Sequence, residues 1–292
     1  MKVCIIGSGL VSLTLAKVLI QKNLFVDILV TKKNSHYDKS RTLGLSKSNI
    51  DYFNNEIINI RKILWEIKKI KIFTEKEPKK ELIKFENENK QIFSIVQNYK
   101  LEKMLFSRLK NSKFVKFKNE LNINKKKYEL IINCDPTHQY TKKFFFKKIN
   151  KNYNSFAYTT TIIHKKIRNN IAFQNFTDNG PIAFLPISET QTSVVYSFRS
   201  FNKKNIFEIK KLIEKYNPIY FIKKINNIKS FELRSSSLRN YYKDNILAFG
   251  ELLHKIHPLA GQGFNMSLRD IKLLSNLVDE KINLGLELNN TL

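Results

Sequence analysis

Two cysteines, Cys4 and Cys134, are all that this chain of 292 residues carries, and neither stands at metal-ligand spacing. That argues against a disulfide framework and a zinc site, and it fits a reducing, cytoplasmic setting. Uninterrupted apolar runs are also missing. No segment reaches the roughly 18 residues that a membrane span requires, so the chain is expected to touch a membrane at most. Acidic residues are few: 25 Asp plus Glu stand against 52 Lys plus Arg, a formal charge of +27. Such a field attracts anionic partners. Lys, Asn, Ile and Phe are abundant together, however, which reads first as a coding bias spread over a solvated surface. An anionic membrane surface and nucleic acid are the other readings.

What is present supports a large core. Hydrophobic residues make up 42% and aromatics 12% of the chain, enough for one big domain or two. The opening MKVCIIGSGLVSLTLAKVLI has the look of a signal peptide, but Gly7, Gly9 and Lys17 interrupt it. It reads instead as a strand over residues 2 to 6, a glycine turn, and a helix from Leu10 to Gln21 with Leu13, Ala16 and Ile20 on one face. A second strand at Phe25 to Val30 completes a βαβ unit. Residues 61 to 90 interrupt this pattern with short strands near Lys69 to Phe73 and Glu81 to Phe85. Helical spacing returns over Val96 to Leu109, and Tyr128 to Asn133 is a buried strand. Residues 155 to 235 are β-rich, with turn signals such as Asn179-Gly180-Pro181 and one helix near Ile206 to Tyr216. Ile246 to Phe249 then re-enters the first unit, with a last helix from about Asn265. No internal repeat is visible.

Gly7-Ser8-Gly9 lies between a strand and a helix, where backbone N–H groups and the helix dipole hold a pyrophosphate. Ser12 replaces the third glycine of the dinucleotide fingerprint, and the acidic residue expected near Val30 or Thr31 is absent. A longer motif is more specific: Ala248-Phe249-Gly250-Glu251, then His257-Pro258-Leu259-Ala260-Gly261-Gln262-Gly263-Phe264-Asn265 and Leu268-Arg269-Asp270. Here the sequence resembles the flavin monooxygenases that hydroxylate aromatic rings, and its wording is similar to the ubiquinone-biosynthesis branch. Phe156-Ala157-Tyr158-Thr159 and the stretch from Asn169 to Pro186 support that branch.

The resemblance implies an α/β (α+β overall) fold, a Rossmann-like FAD/NAD(P)-binding domain with an inserted, mostly antiparallel β-sheet substrate domain. The first is expected over residues 1–60, 91–140 and 240–292, the second over 61–90 and 141–239. It implies bound FAD, NAD(P)H as transient donor, dioxygen adding at flavin C4a, and transfer of the hydroperoxide's outer oxygen to a phenol that is expected to be prenylated. Cofactor contacts are expected from Gly7, Gly9, Leu10, Ser12, Arg41, Asn98, Asp135, Gly250, Glu251, Pro258, Gly261, Gln262, Gly263, Phe264 and Asn265. Glu251 replaces the family's aspartate on the ribityl chain, and Gly261 and Gly263 let backbone approach the flavin.

Of the five histidines, His254 and His257 fall beside the expected flavin; each reads either as an acid–base group or as a loop histidine satisfied by backbone. Asp135-Pro136 departs from the family's Asp-Gly and removes a backbone donor. Family members continue past the last helix, so a pocket partly uncovered after Leu292 is expected. A greasy substrate and the basic surface suggest peripheral contact with the inner membrane face. A flavin oxidoreductase that does not hydroxylate and a non-catalytic partner in a biosynthetic complex stay open. The Phe144 to Phe146 run among lysines has no accompanying recognition motif, so no nucleic-acid partner is expected.

Overall fold

The computed structural model describes residues 1–31, 40–77, 80–86, 91–119, 123–255 and 262–288, with Gln262 by its backbone alone. In chain order, β1 (Lys2–Ile6), α1 (Leu10–Gln21) and β2 (Phe25–Leu29) form the opening unit. β3 (Thr42–Ser46), α2 (Lys47–Tyr52), β4 (Leu64–Ile67), β5 (Lys69–Thr74), β6 (Ile83–Glu86) and β7 (Phe93–Gln97) follow. α3 (Asn98–Lys110), β8 (Val115–Lys118), β9 (Leu130–Asn133) and α4 (Gln139–Phe144) return to the opening unit. Then come β10 (Lys148–His164), β11 (Ile171–Thr177), β12 (Gly180–Pro186), β13 (Gln191–Arg199), α5 (Ile206–Lys215), β14 (Ile222–Ile225) and β15 (Lys229–Leu238). β16 (Tyr242–Lys243), β17 (Ile246–Ala248), β18 (His254–Lys255) and α6 (Gln262–Asn283) close the chain.

A six-stranded sheet in the order β16-β17-β9-β1-β2-β8 is parallel except for its β16 edge. Its central strands are apolar because helices and loops cover both faces. On one face α1, α3 and α6 pack together through Leu13, Leu101, Leu105, Leu268 and Ile271. α1 is buried nearly all round, which explains why its apolar residues exceed one stripe. Tyr128, Tyr140 and Phe145 cover the other face. Asp27 is the exception inside β2. It is buried, and it accepts from the Tyr128 hydroxyl at 2.7 Å and pairs with Lys2 at 3.1 Å and Lys118 at 3.2 Å. Burial raises its carboxyl, but these donors outweigh that and leave it below its ordinary value.

The second sheet has nine strands. Eight run β18-β15-β10-β13-β12-β11-β5-β6, and β14 pairs with β10. All its described pairings are antiparallel except β11 with β5. Tyr158, Tyr196, Phe184 and Ile182 project to one face, where Ile209 and Ile213 of α5 cover them. A small sheet has the order β3-β7-β4, and its Ile67 and Ile95 pack with Ala172 of the nine-stranded sheet.

Several boundaries differ from the sequence reading. Val96 and Gln97 belong to β7, paired to β3, and the helix starts at Asn98. The last helix begins at Gln262, three residues before the expected start. β10 begins at Lys148, well before Phe156, because its polar first half pairs with β15 across a register shift between Asn152 and Phe156. Asn154, at φ +47, takes the left-handed turn of that irregularity. Among the described residues no helix is long and apolar enough to cross a membrane.

Candidate active site

A cavity of about 1880 Å³ lies between the α1 turn, β3, α3, the N-terminal turn of α6 and one face of the nine-stranded sheet. Ordinary small-molecule pockets reach about 1,000 Å³, so this one has room for a dinucleotide and a second molecule.

Its first end is the glycine turn. Gly7 has φ +105, a conformation that disfavours any side chain, and an added Cβ would meet Ser12 Oγ at 3.4 Å and Asp135 Cβ at 3.6 Å. Gly9 is different. An added Cβ there meets nothing within 4 Å, so it would project into open space where a ligand's phosphate has to approach. Gly9 is the N-cap of α1 without a side-chain cap, and the first turn carries no acidic residue. The backbone donors of that turn and the positive end of the helix dipole are thus presented to the cavity.

From α3, Asn98, Tyr99, Glu102 and Lys103 reach the same space. The Glu102 carboxylate accepts from the Asn98 side-chain amide at 3.3 Å. Burial pushes the Glu102 carboxyl above its ordinary value, against the lowering effect of Asn98 and Arg41. Arg41 lies with its guanidinium carbon 4.7 Å from the Phe231 ring centroid, which fixes its plane by cation–π attraction. Asp135 is buried, and its Oδ1 accepts from the backbone and hydroxyl of Thr137, both at 2.7 Å. That turn replaces the glycine loop that Pro136 rules out. Cys134 also lines the cavity. Burial pushes its thiol up to about 12, so it stays protonated and unreactive.

The other end is formed by the segment after β17. Gly250 has φ +64, and a Cβ there would come within 3.0 Å of Val11 Cγ1, so only glycine lets this strand end rest on α1. Glu251 and His254 face the cavity. His254 Nε2 sits 3.2 Å from Asp270 Oδ2 on α6, close in distance but not aligned as a hydrogen bond. Asn265 donates to the Gly44 carbonyl and accepts from the Asn49 amide, both at 2.6 Å, tying α6 to β3 and α2. Gly263, like Gly9, has nothing within 4 Å of a built Cβ.

The floor is the uncovered face of the large sheet. Ala157, Ala172, Ala183, Val195 and Ser197 line it, and registers such as Ala157 opposite Ser197 and Ala183 opposite Val195 make it a contiguous surface of small side chains. Thr42 on β3 meets Ser193 at 3.0 Å and anchors the wall to this floor.

The structure therefore brings Gly7, Gly9, Leu10, Ser12, Arg41, Asn98, Asp135, Glu251, His254, Gly263, Phe264 and Asn265 onto one cavity, with Gly250 behind it. His257, Pro258 and Gly261 lie outside the described residues, and the Gln262 side chain does as well. Glu102 was not anticipated: on a Lys- and Glu-bearing helix it reads as a solvated residue. Lys103 was missed for the same reason, and Phe106, Phe117 and Asn119, which line the cavity as well, carry no local signal of it.

No family model matches the chain. It is 24% identical over 181 residues to the mitochondrial ubiquinone biosynthesis monooxygenase of Xenopus tropicalis, covering 48% of this chain and 39% of that protein. It is 29% identical over 113 residues to the 3-demethoxyubiquinol 3-hydroxylase of Escherichia coli, 36% of this chain and 29% of that one. The matched region thus spans about two-fifths or less of these relatives' length. Among solved structures, a probable FAD-dependent monooxygenase from Pseudomonas aeruginosa, PqsL, shares the fold at TM-score 0.74 and 14% identity, over 97% of this chain and 87% of that chain. The p-nitrophenol 4-monooxygenase PnpA from Pseudomonas putida does so at 0.77 and 11%, over 97% and 80%.

The fold is shared with these FAD-dependent monooxygenases: a Rossmann-like, mostly parallel unit joined to a second, mostly antiparallel sheet. Within that class, the sequence likeness falls on the ubiquinone-biosynthesis hydroxylases.

Proposed function

We propose that the chain is an FAD-dependent monooxygenase that uses NAD(P)H and dioxygen to hydroxylate the ring of a polyprenyl phenol in ubiquinone biosynthesis. The observation that carries this reading is one continuous cavity whose first end is a glycine-opened helix N-terminus and whose floor is a sheet of small, mostly apolar side chains. The residues fit the cofactor. Gly9 and Gly263 leave open space for its close approach, and the uncapped first turn of α1 presents backbone donors. Residues 1–60, 91–140 and 240–292 would hold the dinucleotide, with 61–90 and 141–239 supplying the substrate side.

When bound, the flavin supplies electron transfer and dioxygen activation. The chain's part is positioning and exclusion. Gly7, Gly9, Leu10, Ser12 and Asn98 would hold the diphosphate end, and Glu251 the ribityl chain through hydrogen bonds to its hydroxyls. Gly261, Gln262, Gly263, Phe264 and Asn265, with Pro258, would form the turn against the ring system. Ala157, Ala183 and Val195 leave space for a flat phenol and keep water from it. His254, with Nε2 facing Asp270, has Nδ1 as the atom to take or give a proton; His257 is the other candidate. The basic surface would let the protein visit anionic lipid, where a prenylated substrate resides.

The test is to load the protein with FAD, add NADH or NADPH and a short-tailed prenyl phenol under labelled dioxygen, and analyse products by mass spectrometry. One labelled oxygen on the ring is expected. Oxidation of NAD(P)H without labelled product would identify an oxidase or reductase instead. A second reading, a cofactor-free partner in a biosynthetic complex, is favoured by one observation: the Glu102 carboxylate lines the cavity together with Gly9 and Leu10, where a diphosphate would meet like charge.

A further inference from the structure

β5 and β6 form the outer ribbon of the nine-stranded sheet, and its two faces are unlike. On one, Lys69 pairs with Glu86, Lys71 with Glu81 at 2.9 Å and Lys84 with Glu86 at 2.6 Å. On the other, Ile70 stands opposite Phe85 and Ile72 opposite Ile83. Strand alternation makes this second face apolar at all four positions. Ile83 is nonetheless 46% exposed and Phe85 49%. Phe176, which shares the face with Gln174 two residues earlier on β11, is 44% exposed.

Register ties this surface to the cavity. Thr159, Val195, Ala183 and Gln174 lie in one cross-strand row, and all four line the cavity. The row continues without a break through Ile72 to Ile83. A second row runs from Ala172 through Ile70, both lining the cavity, to Phe85. Beyond Gln174 every member is apolar. The cavity floor therefore runs outward as an apolar strip, and from Ala183 to Ile83 it spans three strand spacings, about 14 Å. Charge at a sheet edge guards against unwanted pairing, yet this ribbon keeps its charged pairs on the other face. Five side chains are far fewer than the roughly 20 to 30 residues a side of a stable protein interface. A single hydrocarbon chain fits such a strip.

We propose that Ile70, Ile72, Ile83, Phe85 and Phe176 seat the hydrocarbon tail of the substrate, which leaves the cavity along this sheet face while the ring stays over Ala183 and Val195. The proposal rests on the phenol reading above and adds where the tail lies. The driving force is removal of the tail's methylenes from water, worth roughly fourfold in affinity for each one fully buried.

The experiment is calorimetric titration of the full chain, incubated with FAD, with 4-ethylphenol and with 4-octylphenol. The ratio of the two affinities reads the tail alone. On the native chain 4-octylphenol is expected to bind roughly thirtyfold or more tighter than 4-ethylphenol, as half-buried methylenes would give. Ile83→Ser combined with Phe85→Ser is expected to cut that ratio roughly fivefold or more. Should the double variant fail to fold, Phe85→Ser alone is expected to lower the ratio in the same direction by less. Phe201→Ser, which removes an 82% exposed ring between β13 and α5, is expected to keep the native ratio. Equal ratios in the native chain and the ribbon variants overturn the proposal and leave the phenol reading standing. A fall of the same size in Phe201→Ser also overturns it, because the tail would then settle on any exposed ring. A native chain that self-associates through the strip, seen as slower sedimentation of the double variant, overturns it in favour of a second copy. Binding of neither phenol overturns the phenol reading and this proposal with it.

Discussion

Along β10, β12 and β13, neighbouring residues serve opposite sides of the sheet. Tyr158, Phe184 and Tyr196 are sealed against α5, whereas Ala157, Ala183 and Val195, each one position away, front the cavity. Strand geometry sends successive side chains to opposite faces, so one set of strands carries two selections at once. The covered face is filled with aromatics whose polar tips find partners, as Tyr196 does with Thr177 at 3.0 Å and Tyr158 does by accepting from the Lys204 N–H at 2.6 Å. The open face is small at these three positions. Packing holds the sheet together from one side, and the space on the other side is what a ligand can use.

If the two faces are separable, substitutions on them must fail in different ways. The largest stability effect is expected for Tyr196→Ala, which removes a fully buried ring from the covered face and should cost about 3–5 kcal/mol in denaturant unfolding, with FAD affinity unchanged in whatever fraction remains folded. A loss below about 1 kcal/mol would mean that α5 is a loose cover and not part of the core. On the open face, Ala183→Phe should shift stability by under about 1 kcal/mol, because the new ring enters the cavity and not the core. It should keep FAD binding while lowering phenol turnover at least about tenfold, the cost of lost orientation. Unchanged turnover would place the substrate elsewhere.

A smaller effect is expected where β5 meets α5. Glu75 accepts from Lys215 Nζ at 2.8 Å and Tyr216 Oη at 2.6 Å, and these donors hold its carboxyl down at about 2. A depressed carboxyl stabilises the fold above its unfolded value of 4.5, and that contribution is lost as pH falls from there through about 2. Glu75→Gln should therefore flatten the acid limb of a melting-temperature profile between those values and leave the neutral limb almost unmoved, as expected for a partly exposed pair. A profile unchanged by the substitution would remove this clamp from the account.

The parts legible in the sequence were those in which a local rule acts alone. The β1-α1-β2 unit follows from an apolar strand, a glycine pair and a 12-residue apolar helix, and the segment from Gly250 to Asn265 carries enough fixed residues to announce its turn. The alternating runs of β12 and β13 were likewise visible as strands. What stayed hidden depends on partners far away in the chain. β3, β7 and β4 are short and come from separate segments, so only their mutual pairing defines them. The first half of β10, Lys148 to Asn154, is polar and becomes a strand only because β15 runs beside it. Asp27 passes for one residue of an apolar strand until Lys2, Lys118 and Tyr128 gather round it. Glu102 is the same lesson at the site: the helix spacing places it on α3, but nothing local says that it lines the cavity beside Asn98.

The central claim is that the cavity between the α1 turn and the small-residue face holds a flavin dinucleotide. The most direct measurement is a visible absorbance spectrum of the purified chain after incubation with FAD and removal of the free cofactor. The account predicts the two bands of oxidised flavin, retained by the protein at close to one per chain and bleached by NAD(P)H. A protein that emerges colourless under conditions in which it is folded would contradict it.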